Sequence, residues 1–135
     1  MIKFLLDTDT CIFCLRKQHS TAERVSDVGV WNCGISQVTV AELRYGAECS
    51  AHPTRRHNEI DEFCEHVSVV PINDMIVSVY AVQKARLRKL GLLIADFDLL
   101  IGATALYHGL ILVTNNTRHF ERMQSLRWEN WMQEL

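Results

Sequence analysis

Short continuous apolar runs alternate along this chain with stretches in which apolar residues recur every three or four positions. Residues 2–6, IKFLL, are nearly all apolar, as expected of a strand buried on both faces of a parallel sheet. A short helix is predicted over 10–17. A second follows over 20–28, where Ser20 and Glu23 stand at capping-box spacing. Residues 31–37 read as a strand with Cys33, Ile35 and Gln37 on one face. A helix over 39–49 opens with Thr39 and Glu42, again at capping-box spacing. Pro53 marks a break before a helix over 55–66, and the β-branched run 67–70 reads as a strand ended by Pro71. Asn73 can cap a long helix reaching Leu90, with Gly91 as its stop. That helix carries Ile76, Val79, Tyr80, Ala81 and Leu87 towards a core. Its last turns are basic. An apolar helix over 98–108 stops at Gly109, and 110–113 is another buried strand. A polar loop over 114–117, one helical turn within 118–123 and a strand or packed tail over 126–131 complete the pattern.

Strands alternating with helices imply an α/β fold, a three-layer α/β/α sandwich around a mostly parallel sheet. A chain of 135 residues suits one domain, 1–135. In such sheets, ligands bind beyond the carboxyl ends of the strands. That rule gathers Asp7, the region of Thr39 and the loop 114–116.

Composition narrows the partners. The chain is 48% hydrophobic and 22% charged, ordinary for a globular protein. No apolar run approaches the ~20 residues of a membrane span. No cleavable leader is evident, so a cytoplasmic protein without membrane association is expected. A net charge of −2 argues against binding nucleic acid through bulk charge, though not against a local basic rim beside an acidic centre. The five cysteines include only one CxxC pair, Cys11 and Cys14, so a structural zinc site lacks ligands. Burial as small hydrophobes accounts for them better than redox chemistry, which needs a thiol of depressed pKa.

Three acidic residues carry the chemistry. Asp7 follows the first strand and can cap the next helix. Glu42 can close a capping box. Asp98 opens an apolar helix, where the dipole favours a carboxylate, and Asp96 competes for the capping position. Each has a structural reading alone. Together at one end of a sheet they would repel one another and raise each other's pKa. A divalent cation relieves that cost, and oxygen donors suit Mg²⁺ or Mn²⁺. Asp7 and Asp9 in FLLDTDTCIFC also permit a second chemistry, the nucleophile and acid/base pair of a haloacid-dehalogenase-like phosphatase.

Five blocks add a resemblance: FLLDTDTCIF, ISQVTVAELRYGA, DFDLLIGATAL, GLILVTNNTRHF and LRWENW. In this order, in a chain of this length, they resemble PIN-domain ribonucleases, specifically the VapC toxins of bacterial toxin–antitoxin pairs. The resemblance implies a PIN fold, Mg²⁺- or Mn²⁺-dependent RNA cleavage, neutralisation by a cognate antitoxin, and a homodimer. Its three acidic positions fall on Asp7, Glu42 and Asp98, as catalytic residues and metal ligands. Thr8, Thr114 and Asn116 are supporting candidates for orienting water or phosphate. Lys84, Arg86, Arg88, Arg118 and Arg122 are candidate RNA contacts. The target implied is the anticodon stem-loop of a tRNA. The chain departs from the family in having Asp9 where Asn is usual. A fourth acidic position common after the last strand would fall at Asn116 or His119, neither a carboxylate. A non-catalytic PIN-like RNA-binding module is the alternative within the same family.

Overall fold

The structure is a computed structural model and describes residues 1–132. Among them, five parallel strands form one sheet: β1 (Phe4–Leu6), β2 (Cys33–Ser36), β3 (Ser68–Val70), β4 (Ile111–Val113) and β5 (Trp128–Glu129). Their order across the sheet is β3-β2-β1-β4-β5. The helices between them are α1 (Thr8–Leu15), α2 (Thr21–Val28), α3 (Gln37–Glu48), α4 (Pro53–His66), α5 (Asp74–Leu90), α6 (Asp96–His108) and α7 (Thr117–Phe120).

The central strands β1, β2 and β4 are short and largely buried because each face of the sheet is covered there, whereas the edge strands β3 and β5 keep exposed residues. Leu5 pairs in register with Leu112, and both point into a core built with Leu87, Leu99, Ile101 and Phe120 from α5, α6 and α7. Leu6 pairs with Val113 and points the other way, towards Cys11, Val25, Leu43 and Ile60 of α1 to α4. The period of two therefore divides the molecule into the expected sandwich. Gly102 lets α6 lie against the segment after β4, since a Cβ there would come within 2.3 Å of the Met123 sulfur. Gly91 ends α5 in the left-handed conformation, as its position after the last apolar turn predicts.

Several local expectations are corrected. α3 begins at Gln37, capped by Ser36, whose hydroxyl accepts from the Val38 amide at 3.0 Å. Thr39 and Glu42 thus lie inside the helix and form no capping box. Ser20 precedes α2 in a left-handed conformation, φ 56°, and makes no capping hydrogen bond, so that box is absent too. α6 begins at Asp96 with Ala95 before it, so neither Asp96 nor Asp98 is the cap, although both lie in the first turn. Pro53 is the first residue of α4, where its missing N–H costs nothing.

β1 is central, with β2 on one side and β4 on the other. The chain leaves β1 towards one edge and returns later to the other. That is a topological switch point, and it places the ends of β1, β2 and β4 around one crevice.

Candidate active site

Asp7 is the residue after β1. Its amide still donates to the Val113 carbonyl at 2.9 Å, so the strand's ladder fixes its backbone. Its carboxylate caps α1, with Oδ1 accepting from the Thr8 amide at 2.8 Å. Oδ2 accepts from the hydroxyl of Thr114, fully buried at the end of β4, also at 2.8 Å. The side chain is 4% exposed. Burial raises its pKa to about 7, with the charge of Asp9 next in effect and Asp98 adding a smaller push. The hydrogen bonds from Thr114 and Thr8 oppose the rise without cancelling it.

Glu42 projects from α3 towards α1. The Thr8 hydroxyl donates to its Oε1 at 2.7 Å and shares a second hydrogen bond with Thr39 Oγ1 at 3.1 Å. Thr39 is fully buried. The spacing that suggests a capping box therefore places Thr39 and Glu42 on one helical face, one turn apart, where both meet Thr8.

Asp98 reaches the crevice from the first turn of α6. Its Oδ2 lies 3.1 Å from His119 Nδ1, and the same nitrogen lies 2.7 Å from the Asn116 side-chain amide. A carboxylate acceptor requires a proton on Nδ1. An amide nitrogen would then oppose donor to donor, so the consistent arrangement turns the Asn116 carbonyl oxygen towards the ring. The Asn116 amide N–H donates to Thr114 Oγ1 at 2.9 Å.

Asp9 faces the same loop. Its Oδ2 accepts from the Asn115 amide at 3.1 Å, and Oδ1 accepts from the Thr10 amide at 2.6 Å. Burial is the main cause of its raised pKa, which the two backbone hydrogen bonds partly offset. Both oxygens are held by backbone, an arrangement unlike the free acid/base that the phosphatase reading requires. His119 and the Asp9 grip on Asn115 were not singled out as contacts in the sequence. The only signal was that the loop bearing them falls where a fourth acidic residue is expected.

Asp7 and Asp98 thus lie close enough for their charges to interact, and Thr8, which follows Asp7, holds Glu42 at the same end of the sheet. Each carboxylate is turned onto its own partner. Among the described residues, no three His, Cys, Asp or Glu side chains are drawn together into a ready-made metal cage. The donor chemistry nevertheless fits a hard cation. The groups on offer are carboxylate oxygens, the hard donors that suit Mg²⁺ or Mn²⁺. Among the described residues, the charges that act on the buried Asp7 carboxylate are those of two further aspartates, Asp9 and Asp98.

The basic candidates divide. Lys84 Nζ is bound to Asp96 Oδ1 at 2.7 Å and to the Tyr80 hydroxyl at 3.2 Å. Arg86 turns inward, donating to the Arg122 carbonyl at 2.6 Å, with its Nε buried and unpartnered. That contact ties α5 to the C-terminal segment. Arg122 donates to the Leu93 carbonyl at 3.3 Å. Arg88 and Arg118 are exposed. The Cys11 and Cys14 pair does not suit redox chemistry: burial drives the Cys11 thiol well above its ordinary pKa and that of Cys14 to about 12.

The fold and this crevice correspond to a known class, for residues 4–126 match the PIN domain. The chain belongs to the PIN-domain family. It is 37% identical over 131 residues to the tRNA(fMet)-specific endonuclease VapC of Shigella flexneri, which spans 97% of this chain and 99% of that protein. It is 36% identical over 132 residues to ribonuclease VapC2 of Haemophilus influenzae, covering 98% and 100%. The structure matches DNA-bound VapBC from Salmonella typhimurium with a TM-score of 0.91 at 35% identity, covering 97% and 99%. These relatives place the chain in the VapC branch of the family.

Proposed function

We propose that this chain is the toxin half of a toxin–antitoxin pair. In this reading it is an endoribonuclease that hydrolyses RNA phosphodiester bonds with Mg²⁺ or Mn²⁺ held by Asp7, Glu42 and Asp98. The observation that carries the reading is Asp7, buried at the sheet's switch point beside Asp9 and Asp98 and raised to a pKa of about 7. Such a carboxylate is stabilised in its charged form by a cation at the crevice. Bound there, the cation supplies charge stabilisation on the phosphate and a more acidic water.

The protein's own groups hold the carboxylates. Thr114 orients Asp7, Thr8 orients Glu42, and His119 faces Asp98. The exposed guanidinium of Arg118, one residue from His119, suits a phosphate of the substrate backbone, and Arg88 is a second exposed cation. Single-stranded loops offer unstacked bases to such a site. A tRNA anticodon stem-loop is the target favoured by likeness to the Shigella endonuclease.

Likeness to the VapBC complex supports a cognate antitoxin as partner, and a toxin homodimer belongs to the same reading. A groove beside Glu42 gives such a partner a place to lie. It has an apolar floor of Leu15, Leu43, Ala47 and Ile60, with Arg16 and Arg56 at its rim. No helix among the described residues is long and apolar enough to cross a membrane, and a cytosolic site of action accompanies the RNA substrate.

The test is cleavage-site mapping on total cellular RNA with Mg²⁺, comparing the purified protein with Asp7→Ala. Discrete cuts that vanish with Asp7→Ala support the reading. Equal cleavage by both proteins defeats it, and RNA binding without cleavage by either favours the non-catalytic module.

A further inference from the structure

One short segment, residues 114–119, supplies a contact to each of three aspartates. The Thr114 hydroxyl donates to Asp7 Oδ2 at 2.8 Å, the Asn115 amide donates to Asp9 Oδ2 at 3.1 Å, and His119 Nδ1 stands 3.1 Å from Asp98 Oδ2. The contacts are also joined to one another. The Asn116 amide donates to Thr114 Oγ1, and its side chain meets His119 Nδ1. An unbroken hydrogen-bonded path therefore runs from Asp7 through Thr114, Asn116 and His119 to Asp98. Both ends of the segment are anchored in the interior, by Thr114 and by Phe120, which are fully buried.

We propose that this segment is a yoke that sets the separation of Asp7 and Asp98, and that His119 is the positioning residue for Asp98. The inference rests on the nuclease reading above. Asp98 projects from the first turn of α6, and among the described residues its carboxylate is met by the His119 side chain. A proton on His119 Nδ1 would engage Oδ2 and leave Oδ1 available as the oxygen that would hold a cation. This is an outer-shell contact of the kind that fixes a ligating oxygen. The requirement is for a proton on the near ring nitrogen, not for a charge on the ring. An asparagine carries its amide nitrogen at about the place of Nδ1, whereas a glutamine carries its own about where Nε2 lies. His119→Asn therefore preserves the donor, and His119→Gln and His119→Leu do not.

The experiment measures Mn²⁺ binding by calorimetry and RNA cleavage in wild type and the three variants, with thermal unfolding as a check on folding. Loss of an outer-shell partner weakens metal binding about 10- to 100-fold. His119→Leu and His119→Gln are expected to weaken Mn²⁺ binding within that range. kcat should fall in parallel and KM for RNA change little. His119→Asn is expected to recover most of both losses. Binding by His119→Leu as tight as wild type, or tighter, overturns the proposal. So does an Asn variant no better than Leu. If wild type binds no Mn²⁺, the metal-nuclease reading itself fails and the positioning role falls with it. If wild type binds and all variants match it, only the role of His119 is lost.

Discussion

Asp7 and Asp9 stand two residues apart and have different tasks. Asp9 spends both oxygens on backbone amides, and its charge pushes Asp7 upward in pKa. Asp9→Asn keeps one carbonyl acceptor and removes that push. Cleavage by this variant should stay within about tenfold of wild type, since one hydrogen bond is worth about 0.5–1.5 kcal/mol. A loss of several orders of magnitude would instead give Asp9 a direct part in the chemistry. Asp7→Asn presents the opposite balance. It removes a buried charge that stands beside two further aspartates, while the Thr114 hydroxyl can reverse to meet the new amide. Cleavage should be abolished, yet thermal unfolding of the metal-free variant at pH 8 should occur at or above the wild-type temperature. An active site that costs stability is the expected signature of a carboxylate placed for a ligand. A lower unfolding temperature would show that Asp7 serves the fold first.

Among the elements, α3 shows both what the sequence discloses and where it misleads. Its existence, its apolar face and its place after a strand are legible, because periodicity and helix-forming residues agree. Its start is not. Thr39 and Glu42 carry a capping-box spacing, but Ser36 is nearer the strand end and takes the cap. The same three-residue spacing also places two side chains on one helical face, and here that face meets Thr8. A one-dimensional pattern cannot choose between the two outcomes, because the partner lies 34 residues earlier in the chain. The contact between Asp7 and Thr114 spans 107 residues and has no local signature. Arg86 shows the same limit. A basic residue near a helix end reads as solvated, and only the packing of α5 against the Arg122 carbonyl turns it inward. The two roles on α3 can be separated by mutation. Ser36→Ala should destabilise the protein by about 1 kcal/mol, the usual cost of a lost N-cap, as read by denaturant unfolding, with little change in kcat. Thr39→Val should leave helix content intact and lower kcat by loosening Thr8 and Glu42. Equal effects of both substitutions on kcat would place Thr39 in the fold alone.

For the whole molecule, the acidic crevice ties stability to pH and to metal. In the unfolded chain Asp7 has its ordinary pKa of 3.8, whereas in the folded protein it titrates at about 7. Between those values the folded state holds a proton that the unfolded state has lost. Stability of the metal-free protein therefore falls as pH rises through that window, by at most about 1.4 kcal/mol per pH unit from this group. Burial shifts Asp9 in the same direction, and it adds to the fall. Well above pH 7 Asp7 is charged in both states and its contribution levels off. A cation reverses the balance because it binds the charged form and displaces the proton. Mg²⁺ should thus raise the unfolding temperature strongly at pH 8 and weakly at pH 5. The difference should shrink in Asp7→Asn. Thermal melts at the two pH values, with Mg²⁺ and with EDTA, measure it directly. A Mg²⁺ shift equal at both pH values would mean that the ion does not bind at Asp7. A metal-free protein whose stability rises from pH 5 to pH 7 would contradict the burial of the Asp7 carboxylate on which the site depends.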